Sequence, residues 1–588
     1  MWHYQAPLRD MHFILEHWLQ APQAWSQMPA FEALDLPLAL QVLGEAGRFS
    51  ADVLAPLNGS GDRQGCRFDN GRVSTPDGFV QAYRAFAEGG WPALACDEAF
   101  GGQGLPQLLD AALQEMLYAS NHAWAMYTGI AHGAYLCLKT HAPQWIKERY
   151  LPQIVSGEAL PTMCLTEPQA GSDVGLLRCR AEPQGDGSYR LSGSKLFISG
   201  GEHDLSENIL HLVLARLPGA PTGSRGISLF LVPKRLDDGQ TNALRCDGIE
   251  HKMGIKGSAT CSLVFDGAQG WLIGEANHGL AAMFVMMNSA RLHVGLQGLG
   301  HAEAAWQNAY TYALERRQMR APKRPVGVAA EAVDPIHYHP AMRRVLLELQ
   351  ACAEGMRAVG YWAAHLLDQA EHAPDLATRQ SALQLAELLT PVIKAFFTEQ
   401  GFRLASNALQ VFGGYGYVAE FAIEQTLRDS RIAMIYEGSN EIQANDLLLR
   451  KVLGDEGRAF AQLLAVMREE AGQAGETAGR VSFGAQLALL CNKLEGVHLE
   501  IRDQAVEDGE YPYRAAGDFL RLCGVALLAF AWTRAARVGR LLPDSDPLRA
   551  SKLQTASFFF AYLLPEADQR IAAIRAAKAP LPFLSEFL

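Results

Sequence analysis

The sequence has no C-x-x-C pair, no long uncharged apolar run, no low-complexity tract and no internal repeat. Each absence removes a class of protein. Ten cysteines stand singly across 588 residues. That spacing writes neither a zinc ribbon nor a thioredoxin-type redox motif, so no metal site is expected. Scattered cysteines of this kind serve as small core residues in a reducing compartment. The most apolar stretch, Leu522 to Trp532, falls short of the roughly 20 residues a membrane span needs. It reads as a buried helix, and no integral membrane segment is expected. Met1 to Asp10 is polar and aromatic with no apolar segment behind it, unlike a secretory leader. A cytoplasmic location is the expectation. Excess positive charge is also missing. The net charge is −12, which argues against a general nucleic-acid binder, whose phosphate contacts need a basic face.

What is present is a large globular chain. Hydrophobic residues make up 49% and charged residues 19%, enough to build cores, and the length calls for several domains. Three textures follow one another. Residues up to about 160 show helical spacing, as in Leu108 to Tyr118. Pro143 to Leu151 reads as a shorter helix with Pro152 just past its end. From 161 to 273 the period shortens. Tyr189 to Gly193, Leu196 to Ser199, Ile209 to Ala215, Ile227 to Val232 and Cys261 to Phe265 read as separate β runs, with Gly185-Asp186-Gly187 as a hairpin turn. Helical spacing returns at Gly279. Leu280 to Met319 reads as one long helix or two, closing on Arg316, Arg317 and Arg320, basic residues that suit a helix C-terminus. Ala321 to Pro335 reads as a loop, and helices resume from Pro340 to about Leu453. From 456 to 588 comes a further helical block with 15 basic and 16 acidic residues.

Four runs carry the chemistry: Met163 to Asp173 (MCLTEPQAGSD), Lys195 to Gly201 (KLFISGG), Leu409 to Tyr417 (LQVFGGYGY) and Arg428 to Gln443 (RDSRIAMIYEGSNEIQ). Singly, each has a plain structural reading. Gly413-Gly414 is also what an interhelical turn looks like, Phe197 a core aromatic, Glu437 a solvated glutamate near a helix start. Together, in this order and on a helix–β–helix plan, they resemble the acyl-CoA dehydrogenase family over roughly residues 85 to 450.

The resemblance implies an α+β fold in five segments: an N-terminal extension (1–40), an N-terminal helical domain (41–160), a middle β-domain (161–273), a C-terminal helical bundle (274–455) and an additional helical domain (456–588). It implies FAD as cofactor, an acyl-CoA thioester as substrate, an electron-transferring flavoprotein as acceptor and at least a homodimer. Glu437 matches the catalytic base that removes the α-proton, and a place against the flavin would raise its pKa. Some members carry the base just before the arginine that matches Arg291. Ala290 stands there, and alanine takes no proton. Leu165 and Thr166 match flavin-ring contacts, Ser172 a serine near the pyrophosphate and the thioester end of the ligand, Phe197 the aromatic that shields the flavin, and Ser199 a hydroxyl near flavin N5. Arg316 matches an arginine on the FAD phosphates of a neighbouring subunit. Gln410, Phe412, Gly413 and Gly414 match the turn that meets the same FAD, and Ser439 and Glu441 the residues near its adenosine. Asn288, Arg291 and Gly438 match the substrate side. Asn288 and Glu441 depart from the commoner Asp and Gln, and Pro340 follows His339 where many relatives have Gln.

The extra C-terminal block is similar to that of the longer bacterial branch, which includes fatty acyl-CoA and 3-(methylthio)propanoyl-CoA dehydrogenases. Its periodic Leu, Ala and Phe read as core. Medium or long straight acyl chains are the expectation, with a methylthio-substituted group as alternative. An acyl-CoA oxidase shares the same motifs. A DNA-associated flavoprotein relative would need a basic C-terminal block, which is absent, and a non-catalytic scaffold would not need Glu437.

Overall fold

The computed structural model describes residues 2–329, 331–474 and 482–586. The chain forms two compact units. One comprises His3–Ala6 and Val42–His293, the other Pro7–Gln41 together with the chain from Val294 onward.

In the first of these, the Gln107–Thr128 helix is buried along nearly its whole length. A helix buried on every side, here with Asp110, Gln114, Glu115 and His122 buried as well, belongs at the centre of its domain. It bends at Asn121, which leaves helical geometry. The Asn121 side chain accepts from the Trp124 N–H and donates to the Leu54 carbonyl, satisfying groups the bend would strand. Further along the chain, Gln144–Ser156 runs through Pro152 and ends at Gly157 with φ +81°. Pro152 therefore does not lie past the helix end, as its residue type suggests. Leu151, Ile154 and Val155 are all buried, and their packing outweighs the hydrogen bond that proline forfeits.

Nine strands lie among the described residues: β1 (Arg67–Asp69), β2 (Arg72–Ser74), β3 (Ala159–Cys164), β4 (Arg180–Pro183), β5 (Tyr189–Ser199), β6 (Asn208–Ala215), β7 (Ser228–Pro233), β8 (Leu244–Ile249) and β9 (Thr260–Ile273). The first two pair with each other, an addition to a region whose sequence reads as helical. The rest form one sheet in the order β3-β6-β7-β9-β5-β4, with β8 also on β9. Among these nine strands only β3 and β6 pair in parallel. Strands β6 and β7 are buried at almost every position, as strands covered on both faces must be. Asp186 closes the β4–β5 turn by accepting from the Ser188 N–H and hydroxyl. The two β runs read at 189–193 and 196–199 are one strand. Its pairing with β9 slips between Lys195 and Ile198, a bulge that breaks the alternation without breaking the strand.

The other unit is a helical bundle. Its core helices are Pro340–His372, Leu376–Phe412 and Tyr511–Gly539, together with the later part of Gly279–Glu315. Backbones touch where glycines face each other. A Cβ on Gly298 would lie 2.3 Å from the Phe397 carbonyl oxygen, and one on Gly401 2.5 Å from that of Gly298. Among the described residues, Tyr511–Gly539 is the one helix long and apolar enough to cross a membrane, and 83% of its apolar window is buried inside the protein. The N-terminal segment packs on it: Trp18 donates to the Ala531 carbonyl at 3.1 Å, and the Arg534 guanidinium lies 4.6 Å from the Trp18 ring.

The long helix read from Leu280 ends at Glu315. Arg316, Arg317 and Arg320 are therefore outside its last turn, contrary to the dipole reading, although the Arg316 N–H still caps it through the Tyr312 carbonyl. Buried Asp334 draws the chain away at that point. It accepts from the Ala321 N–H at 2.8 Å and from Arg324 at 2.7 Å.

Candidate active site

Glu437 sits between two short helical segments, Arg431–Met434 and Asn440–Asn445. Its φ is +57°, and that of Gly438 is +85°. A side chain beyond glycine in the left-handed region costs about 1–3 kcal/mol and persists only where its surroundings over-determine it. Here they do. The Gln443 amide donates to the Glu437 carbonyl at 3.0 Å, and the Lys394 ammonium to the Gly438 carbonyl at 2.6 Å. Upstream, the Tyr436 hydroxyl donates to Gln297 at 2.5 Å. Downstream, Asn440 accepts from Lys394 and Thr398 and donates to the Ala395 carbonyl. The Glu437 side chain itself is half-buried. Ser439 stands at the N-cap of the next helix. The Glu441 carboxyl, held by its own N–H and by the Ser439 hydroxyl, lies below the usual glutamate value.

In the same unit, Arg316, Gln410, Phe412, Gly413 and Gly414 line one cavity of about 600 Å³, together with Tyr312, His339 and Tyr415. Gly413 has φ +61°, and a Cβ on it or on Gly414 would meet nothing within 4 Å. The bare backbone is turned toward open space, a form that lets N–H groups approach a phosphate. The Arg316 guanidinium lies 5.5 Å from the centre of the Tyr415 ring, and Tyr312 stacks on Phe412 at 4.2 Å. An arginine held by aromatics beside an exposed glycine turn fits a dinucleotide's phosphates.

In the β unit, Leu165, Thr166 and Ser172 lie on the loop after β3, and Phe197 and Ser199 on β5. Phe197 falls at the bulge, with φ +59° and 57% of its surface exposed. A large aromatic in that geometry is not filling a core, so the core reading of Phe197 fails. The loop is fastened from beneath. Lys195, fully buried, donates to the Leu165 carbonyl at 2.9 Å and pairs with Glu167 at 2.8 Å. Burial opposes the Glu167 charge, yet Lys195 and the Arg178 and Cys179 N–H groups bring its carboxyl below the ordinary value. The Leu196 N–H adds a bond to the Thr166 carbonyl. Ser172 is exposed, and Ser199 is half-buried at the strand end. Asn288 and Arg291 stand three apart on one helix face. Asn288 is exposed, while Arg291 is 8% exposed with its guanidinium 5.9 Å from the centre of the Phe284 ring.

The structure thus gathers the cavity residues into one place and the Glu437, Gly438, Ser439 and Glu441 group onto one turn. Sequence reasoning missed Lys394, Gln443 and Asn440 behind that turn, and Lys195 and Glu167 beneath the loop after β3. One signal was available: Lys394 interrupts an otherwise apolar run, Pro391-Val-Ile-Lys-Ala-Phe-Phe397.

Family models for the acyl-CoA dehydrogenase N-terminal, middle and C-terminal domains match residues 39–158, 162–268 and 277–451, and one described as acetyl-CoA dehydrogenase C-terminal like matches 457–582. The chain belongs to the acyl-CoA dehydrogenase family. A 3-methylmercaptopropionyl-CoA dehydrogenase of Ruegeria pomeroyi is 44% identical over 487 residues, 82% of each chain. Among solved structures, Caenorhabditis elegans ACDH-11 in complex with C11-CoA shares the fold at TM-score 0.76 and 18% identity, covering 95% of this chain and 91% of its own. A Bacillus anthracis acyl-CoA dehydrogenase complexed with FAD does so at 0.72 and 22%, covering 95% and 91%. This dehydrogenase is an oxidoreductase acting on the CH–CH bond of acyl-CoA, with FAD as cofactor.

Proposed function

We propose that the dehydrogenase converts an acyl-CoA to its trans-2-enoyl-CoA with Glu437 as base, and passes the electrons to an electron-transferring flavoprotein. The observation that carries this is the Glu437 turn: a strained carboxylate residue held by hydrogen bonds to its own and both neighbouring residues. Glu437 takes the α-proton, and the Cα–H pair becomes the second bond between Cα and Cβ. Bound FAD supplies the acceptor for the β-hydrogen, which leaves as hydride. An α-proton beside a thioester is weakly acidic, so hydrogen-bond donors must meet the carbonyl oxygen as charge grows there. The Glu437 N–H is the donor this chain offers.

Straight-chain fatty acyl-CoA is the proposed substrate class. The identity to the Ruegeria enzyme supports 3-(methylthio)propanoyl-CoA as a second reading. Anaerobic titration of the yellow holoenzyme with C4 to C16 acyl-CoAs and with methylthiopropanoyl-CoA separates them. Bleaching of the flavin absorbance by one chain-length class is the expected result. Bleaching by the methylthio substrate alone selects the second reading, and no bleaching by any of them defeats both. Rapid reoxidation of the bleached enzyme by air would instead indicate an oxidase.

A second copy of the chain is proposed to cover the cavity face. Met319, which lines the cavity, and Tyr417, beside its glycine turn, are at least three-quarters exposed. Such apolar residues on a phosphate-type cradle suit a shared cofactor site. Sedimentation of the holoenzyme should give twice the 64.1 kDa chain mass. A monomer that retains full FAD would exclude this arrangement.

A further inference from the structure

The Leu376–Phe412 helix presents a lysine where its neighbours are Val392, Ile393, Ala395 and Phe396, all buried. Lys394 has no exposed surface. A buried ammonium is costly unless its donors are used. Two of them converge on the segment that follows Glu437: the Gly438 carbonyl at 2.6 Å and the Asn440 side-chain oxygen at 3.1 Å. Asn440 is itself fixed to the same helix through Thr398 and the Ala395 carbonyl. The ammonium thus grips the Gly438–Ser439 peptide, one beyond the base, while Gln443 grips the base's own carbonyl. The peptide planes on the C-terminal side of the Glu437 Cα are set by these two donors, and they set where its carboxylate points.

We propose that Lys394 is a positioning residue for the reaction: it holds the left-handed Glu437–Gly438 turn so that the carboxylate meets the α-proton in line. The proposal rests on the reading of Glu437 as base. As a positioning residue Lys394 acts through the Gly438 carbonyl and the Asn440 side chain, not by contact with substrate or flavin. A charge-assisted bond to a carbonyl is stronger than a neutral one, which explains a lysine rather than another amide at this place.

The test is stopped-flow, anaerobic flavin reduction by acyl-CoA and by its α-deuterated form, with rates taken per bound flavin. Lys394→Met should bind FAD normally, reduce its flavin about 10²-fold more slowly, as misplacement of a catalytic group by about 1 Å does, and leave KM within about 3-fold. Its α-deuterium isotope effect should rise above that of the wild type, because proton removal becomes the slow step. A role confined to folding would lower the yield of holoenzyme but leave the rate per flavin and the isotope effect unchanged, and that result overturns the proposal. If Lys394→Met does not fold, Lys394→Arg keeps a buried cation with a different donor geometry. It is read in the same way: a raised isotope effect supports positioning, and wild-type values overturn it. Glu437→Gln is run beside both. If it reduces flavin at the wild-type rate, the base reading fails and the proposal fails with it. If it is inactive while Lys394→Met and Lys394→Arg match the wild type, only the role of Lys394 is lost.

Discussion

Glu437→Gln should retain FAD and lower the rate of flavin reduction by acyl-CoA about 10³- to 10⁴-fold, the upper range for a positioned general base. The substitution is nearly isosteric. The turn is held through the Glu437 and Gly438 carbonyls by Gln443 and Lys394, bonds that the substitution leaves in place. The amide has no basicity to take the proton. Glu437→Asp keeps the basicity but withdraws the carboxylate by one methylene, and should fall between the two. Stopped-flow absorbance on the anaerobic holoenzyme reads all three. Wild-type reduction in the Gln variant would place the base elsewhere, and Ala290 offers no alternative.

The second large effect is on stability. Asp10 lies in a buried ionic network. It accepts from Arg357 at 2.5 Å and from Lys552. Arg357 also meets Glu303 at 2.6 Å, and Lys552 meets Glu354 at 2.6 Å. Arg357 is fully buried and Lys552 is 3% exposed. Burial works against the Asp10 charge, yet Lys552 and Arg357 pull its carboxyl below the usual value. At Glu354 burial wins, and that carboxyl lies above its usual value. Asp10→Ala leaves two cations facing each other without their shared partner. Breaking a buried pair from one side costs about 3–5 kcal/mol, so the urea midpoint, followed by circular dichroism, should fall steeply. Arg9→Ala, which removes a largely exposed pair with Asp546, should cost about 1 kcal/mol or less. Equal midpoints for the two variants would show that the network does not hold the bundle. The acid limb has a definite sign. Because the folded-state pKa of Asp10 is depressed, its contribution is present above the unfolded value of about 3.9 and is lost as pH falls through the folded value. Asp10→Ala should lack that loss.

Part of this molecule was legible before any coordinates. The order helix, β, helix follows from a change in hydrophobic period, and period is a local property. The four motif runs are contiguous, so the turn that carries Glu437 and the loop with Gly413-Gly414 announced themselves. Where local rules failed, packing had intervened. Pro152 stayed inside its helix because three buried neighbours held the next turn. Strand β5 continued through a bulge that places Phe197 outward, and a bulge is decided by its partner β9. Arg316 left the helix end because Asp334, eighteen residues on, drew the chain away.

The sequence alone determined the family, the cofactor class and the identity of the candidate base, since these rest on residue types at fixed short spacings. Only the tertiary structure decided what holds them. Lys394 meets Gly438 across 44 residues, and Asp10 finds its partners 347 and 542 residues away. No spacing rule reaches that far. A buried charge is costly until a partner arrives, and which partner arrives depends on how the helices pack.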